Sequence, residues 1–161
     1  LSTCTGDNAS LCRLCREGGN SVMTMKLTCH AGIGPKVEGI ALVADDNFSA
    51  RYDLDRIKGV FSRPQHKLYG QSYKDVILVL NTAKGGVATA WMLYEMTSRL
   101  VAPKAILLNQ ANTILVQGAA LANMAMVDRF DKGDVTKLIK TGEHLVVDPQ
   151  AGQVDVNSLN R

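Results

Sequence analysis

The sequence predicts a single α/β domain, and three observations predict it. A continuous β-rich block, Val76-Ile77-Leu78-Val79-Leu80, runs into a small-residue turn that opens a helix, the pattern of a strand buried on both faces. A second apolar block, Lys104 to Asn109, follows that helix, so strand, helix and strand fall within a short span and imply a right-handed crossover and a parallel pair. Two further β-rich segments, His144 to Val147 and Gln153 to Val156, flank Asp148-Pro149-Gln150-Ala151-Gly152 and read as a terminal β-hairpin.

Composition narrows the class. A chain of 161 residues can bury a proper core, and its 46% hydrophobic and 20% charged content is that of a globular protein. The net charge of +3 comes from mixed signs along the chain, and aromatics are 5%, so neither a basic nucleic-acid surface nor a stacking platform is expected. No apolar run approaches the ~20 residues of a membrane span. Residues 1–22 are polar, with no apolar core for a signal peptide, and a cytoplasmic location is expected. Residues 1–24 read as a leader or extension, and 25–161 as the domain. Cys4, Cys12, Cys15 and Cys29 all fall in the first thirty residues. Four thiols, two of them in a CxxC pair, could hold zinc or an iron–sulfur cluster, but the spacing matches no metal pattern and reduced thiols are the simpler reading.

Taken in order, Val37 to Ala44 is the first strand, closed by Asp45-Asp46-Asn47. Ser49 to Leu54 is polar and turn-like, and Ile57 to Phe61 a short second strand with Gly59 as a bend. The helix after Gly86 runs to about Leu100, packs through Met92, Met96 and Leu100 with Trp91 and Val101 beside them, and stops before Pro103. A second helix starts within Asn109–Thr113, where Asn and Thr are good caps, and ends near Asn123, with Gly118 and its neighbouring alanines allowing close packing. Met124 to Val127 is a short strand ending in Asp128-Arg129, and Asp134 to Ile139 a turn or two of helix. Strands first, a βαβαβ centre and a hairpin last suit a barrel-like β/α domain better than a regular doubly wound sheet.

The chemistry points to Thr82-Ala83-Lys84-Gly85-Gly86. It lacks both the Walker ending and the GxGxxG spacing. What it offers is backbone amides at a helix N-terminus beside one cation, Lys84, which suits a carboxylate or a phosphate. His66, between Arg63 and Lys67, could bind an anion or move a proton. His30 lies next to the extension and His144 opens the hairpin, read here as an edge. No HExxH, GxSxG or ordered Ser/His/Asp set is present, and Asp128-Arg129 is a secondary candidate at a strand end.

Residues from about Gly34 to Val156 resemble the small subunit, or swivelling domain, of the aconitase X family of hydro-lyases. The similarity runs through VEGIALVADDNFSARYDLDRIKGVF and through His66-Lys67-Leu68-Tyr69-Gly70-Gln71-Ser72, where Lys67 stands in place of the family's proline. It continues in LVLNTAKGGVATAWMLYEM, APKAILLN and NTILVQGAALANMAMVDRF, and closes on Thr141-Gly142-Glu143-His144-Leu145-Val146-Val147-Asp148. The ordered series, rather than any one motif, carries the resemblance.

The resemblance implies a compact swivelling β/β/α barrel of the aconitase type. It implies a hydro-lyase, a dehydratase of small hydroxy acids such as phosphomevalonate or hydroxyproline, active only as a heterodimer with a large subunit. Iron or an iron–sulfur cluster is expected in that partner and no cofactor in this chain. The family's Gly-x-Gly-Ser-x-Ser-Gly-Ser loop, whose first serine is taken as proton acceptor, falls on Ala83-Lys84-Gly85-Gly86-Val87-Ala88-Thr89-Ala90. Gly86 therefore occupies the base position without a side chain, and Thr89 carries the only hydroxyl of the stretch. Three readings follow. The base comes from elsewhere, with Lys84, Thr82 or Thr89 as local candidates; the substrate differs and the loop, with His66, only binds it; or the chain is a non-catalytic binding or regulatory relative.

Overall fold

The computed structural model describes residues 22–159. In chain order the elements are β1 (Val22–Thr28), β2 (Val37–Val43), α1 (Ala50–Asp53), β3 (Leu54–Asp55), β4 (Val60–Phe61), β5 (Ile77–Thr82), α2 (Val87–Ser98) and β6 (Ala105–Gln110). They continue with α3 (Thr113–Leu121), β7 (Ala125–Asp128), α4 (Val135–Leu138), β8 (His144–Asp148) and β9 (Gln153–Leu159). Seven strands form one sheet in the order β1-β9-β8-β2-β5-β6-β7, and β3-β4 form a small separate ladder. β2, β5, β6 and β7 run parallel, whereas β2-β8, β8-β9 and β1-β9 are antiparallel.

Strand periodicity sorts the core onto two faces. Leu78, Leu80, Ile106, Leu108, Met124 and Met126 face α2 and α3, with Leu93, Met96, Leu115, Phe48, Phe61 and Tyr73 in the same cluster. Ile77, Val79, Ala105, Leu107, Ala125 and Val127 face the other way and pack with Leu145, Val147, Val154 and Val156 of the antiparallel half. That half curls over the parallel half. β5 and β6 are thus buried on both faces, as their unbroken apolar runs predict.

The expected closed barrel is not what the ladder forms. β1 and β7 remain its two edges, and only isolated bridges, Cys29–Phe130 and Ile33–Met126, span between them. Ile33 and Met126 exchange backbone bonds of 3.0 and 2.9 Å. A Cβ built on Gly32 would lie 2.0 Å from the Met126 carbonyl oxygen, so only glycine admits this approach. Gly34, at φ +88°, and Pro35, which has no N–H, then stop a regular ladder from propagating.

Other expectations are corrected. β1 begins at Val22, inside the segment assigned to a leader, and pairs with β9 over seven residues. Cys4, Cys12 and Cys15 lie outside the described residues. The hairpin is not an edge: β8 lies between β2 and β9, and His144 pairs with Ile40 and Asn157. The short second strand shrinks to Val60–Phe61, and Ile57 is an exposed turn residue. α2 buries Thr89, Ala90, Leu93 and Met96. Trp91 and Leu100 are 64% and 78% exposed. The cause is the α2–α3 contact, where a Cβ on Gly118 would come 2.5 Å from Ala90 Cα, turning α2's small-residue side inward. Leu100 sits beyond the helix at φ +58°, so the backbone reverses before Pro103 is reached.

Candidate functional site

The parallel strands all end at one edge of the sheet, where the segments after β2, β5, β6 and β7 gather. Residues 46–48 run alongside 81–84 and prolong the β2–β5 pairing. Asn81 N donates to Asp46 O (2.9 Å), Phe48 N to Thr82 O (2.8 Å) and Lys84 N to Phe48 O (2.7 Å). The Thr82 hydroxyl donates to Asn47 Oδ1. The loop after β5 is therefore anchored up to Lys84 and leaves the sheet only at Gly85.

Gly85 has φ +127°. A Cβ there would lie 2.3 Å from Thr89 Oγ1 and 3.6 Å from Ser49 Oγ, so the position needs glycine for both backbone and space. Gly86 is the N-cap of α2, at φ −110° and ψ −155°, with no side-chain cap, and its Cβ position is open. Among the described residues, neither the Gly85 nor the Gly86 amide has an acceptor, and Lys84 makes no ion pair. Lys84, Gly85, Gly86 and Val87 are all exposed. Two unpartnered amides, the positive end of a 12-residue helix and one lysine thus meet at the surface.

The other sequence candidates fall behind this loop. Thr89 is buried, with its hydroxyl against Gly85 and its amide donating to Gly86 O (2.9 Å). His66 is buried and stacked on Phe61. Its Nδ1 accepts from Leu68 N (3.1 Å), an assignment that leaves Nε2 to donate to Asn47 O (3.2 Å). Both ring nitrogens are engaged by backbone, and the ring supports Asn47, which in turn holds Thr82. Burial raises the Asp46 carboxyl, but the amides of Asn47 and Lys67 that donate to it, with the Lys67 charge beside it, outweigh burial and hold the group below its ordinary value. Asp53 is buried, accepting from Ser49 N (2.7 Å) and from Arg63 (3.2 Å). Asp128 accepts from Ala111 N (3.2 Å) and meets Arg129 (3.7 Å), so this pair ties β7 to the β6–α3 turn.

Sequence reasoning passes over two groups. Ser49 stands in a polar turn, and nothing local marks it; only the fold sets its hydroxyl beside Gly85. Asn109 donates to Asn81 Oδ1 (3.1 Å) and Asp134 Oδ1 (2.8 Å) and accepts from Val135 N (2.8 Å), joining β5, β6 and α4. Two clefts lie elsewhere. One of about 120 Å³ is lined by Ala31, Ile33, Ala111 and Asp128, and one of about 400 Å³ by Arg51, Arg56, Glu95 and Arg99. Neither is lined by residues of the 82–87 loop, whose residues 84–87 are exposed.

The described residues do not fit a resident metal, because no three His, Cys, Asp or Glu side chains converge among them. Cys29 is buried, and burial, aided by Asp128 and Asp131, pushes its thiol up to about 11, so it stays protonated at neutral pH and makes a poor ligand. No helix among the described residues is long and apolar enough to cross a membrane.

Known proteins share this sequence pattern and fold. The aconitase X swivel domain family matches residues 26–156. The phosphomevalonate dehydratase small subunit of Thermococcus sibiricus is 35% identical over 132 residues, 82% of this chain and 98% of that protein. The corresponding subunit of Methanococcoides burtonii is 30% identical over 135 residues, covering 84% and 98%. The crystal structure of Thermococcus kodakaraensis aconitase X in its holo form superposes with a TM-score of 0.76 at 30% identity, over 82% of this chain and 98% of that one. The mixed sheet, the βαβαβ centre and these matches lead to one conclusion: this chain belongs to the aconitase X swivel domain family.

Proposed function

We propose that this chain is the small subunit of an aconitase X-type hydro-lyase that dehydrates a small hydroxy acid, phosphomevalonate being the first to test. It works only with a large subunit, which carries the iron or iron–sulfur centre. The observation that supports this reading most is the exposed, uncapped N-terminus of α2, where the free Gly85 and Gly86 amides stand beside Lys84. An exposed loop of this kind is half a site and needs a second surface to exclude water.

In a dehydration a proton leaves the carbon beside a carboxylate, and hydroxide leaves the next carbon. This chain binds the carboxylate through the Gly85 and Gly86 amides and the Lys84 ammonium, and so stabilises the negative charge that grows on it. Thr82, held by Asn47 and backed by His66, keeps the loop in register with the sheet. Thr89 supports Gly85 from below.

The test is coexpression with the large subunit and a screen of small hydroxy acids for loss of water. The isolated chain is expected to be inactive. Lys84→Ala should lower kcat/KM about 10- to 100-fold, the range for a hydrogen bond to a charged group. Unchanged kinetics would remove Lys84 from the site. A second reading, a non-catalytic binding relative, is favoured by Gly86, which has no side chain to accept a proton. Copurification of the two subunits without dehydration of any candidate acid would select it.

A further inference from the structure

The Ser49 hydroxyl is buried, with the residue 7% exposed, and among the described residues its Oγ has no hydrogen-bond partner. Buried hydroxyls almost always have one, and leaving one unpaired is unfavourable, so the exception needs a reason. Its backbone is not free to turn the side chain elsewhere. Ser49 N is bound to Asp53 Oδ2 (2.7 Å), Asp53 is itself held by Arg63, and Tyr52 N and Asp53 N both donate to Ser49 O. The hydroxyl lies beside Gly85, 3.6 Å from where a Cβ would stand. It is thus an unsatisfied hydroxyl on a held backbone, against the turn that carries the two free amides at the head of α2. Position 86, where a serine is expected, is glycine.

We propose that Ser49 supplies the hydroxyl of this site, donating to the oxyanion, carboxylate or phosphate, that the Gly85 and Gly86 amides hold. Gly85 is what separates the hydroxyl from the ligand. Lacking a Cβ, it puts no side chain between them, whereas a Cβ there would lie 3.6 Å from Ser49 Oγ. A serine from the β2–α1 segment thereby stands in for the one absent from the β5–α2 loop. The inference rests on the proposed function in taking this loop as the substrate site, and its test separates the two.

Inorganic phosphate and, separately, acetate are titrated into the full chain at constant ionic strength with chloride, and the Gly85 and Gly86 amides are followed by NMR. Saturable shifts are expected with at least one anion; phosphate alone or acetate alone tells which end of a substrate is held. Ser49→Ala should weaken that binding about tenfold and leave Tm equal to or above the parent, because the hydroxyl has no partner among the described residues of the free chain. In the two-subunit complex the same variant should lower kcat/KM about 10- to 100-fold. Binding unaffected by Ser49→Ala, no amide shift with either anion, or a fall in Tm accompanying the loss would each overturn the proposal. If no hydroxy acid is dehydrated but anion binding depends on Ser49, the enzyme reading falls and this one stands. If turnover proceeds and Ser49→Ala matches the parent in binding and kinetics, only this one falls.

Discussion

Two strand-to-helix turns lie side by side on the same edge of the sheet, and they end differently. After β6, Asn112 closes α3 from within the chain: its Oδ1 accepts from Leu115 N at 2.7 Å. After β5, Gly86 opens α2 with no side chain to accept from the helix amides. α4 follows the first pattern, with Asp134 accepting from Thr136 N at 3.0 Å. A helix start needs acceptors for its free amides: among the described residues α3 and α4 receive a side-chain cap, whereas the single turn of α1, opened by Ser49, and the 12-residue α2 do not, and of those two only α2 starts from a residue with no side chain to offer. The turns are also linked. Asn112 Nδ2 donates to Gly85 O at 3.3 Å, so the closed turn steadies the open one.

The sharpest way to break this contrast is Gly85→Ala. The new Cβ would meet Thr89 Oγ1 at 2.3 Å, at a backbone angle side chains rarely adopt, and a loss of about 3 kcal/mol is expected by chemical denaturation. A loss below about 1 kcal/mol would mean that the turn relaxes freely and is not held in this shape. Asn112→Ala comes next. It removes the α3 cap and the bond to Gly85 O together, for about 1 kcal/mol, measured in the same way. An unchanged stability would show that α3 starts equally well uncapped, and the comparison would lose its meaning. The smallest effect belongs to Gly86→Ser. The position is extended and open, so a serine fits and caps α2, with a gain of roughly 0.3 kcal/mol. Destabilisation there would show that the head of α2 is not the open site described.

Much of this fold is legible in local pattern. The runs at 76–80 and 104–109 announce buried parallel strands because both faces of each must be apolar. Asn112 announces a helix start by its chemistry, and Gly118 a close helix contact by its size. β1 was hidden because VMTMKLT follows a polar stretch and gains its meaning from β9, more than a hundred residues away. α2 was misoriented for a related reason. Methionine spacing suggests one buried face, but the partner helix offers a glycine at position 118 and so draws the alanine side inward. His66 looks like a surface histidine among charges, and only the fold turns it under Asn47.

The loop after β5 divides in the same way. By itself the sequence determined that a strand ends at about Asn81, one residue short of its end in the structure, that a helix begins after Gly86, and that no serine stands between them, because periodicity and residue identity are local properties. Tertiary structure alone decided that, among the described residues, the Gly85 and Gly86 amides stay unpartnered, that Thr89 lies beneath them, and that Ser49 brings a hydroxyl without a partner to their side. The reason is physical: which hydrogen bonds go unmade depends on what every neighbouring segment supplies, and those segments meet only when the sheet assembles.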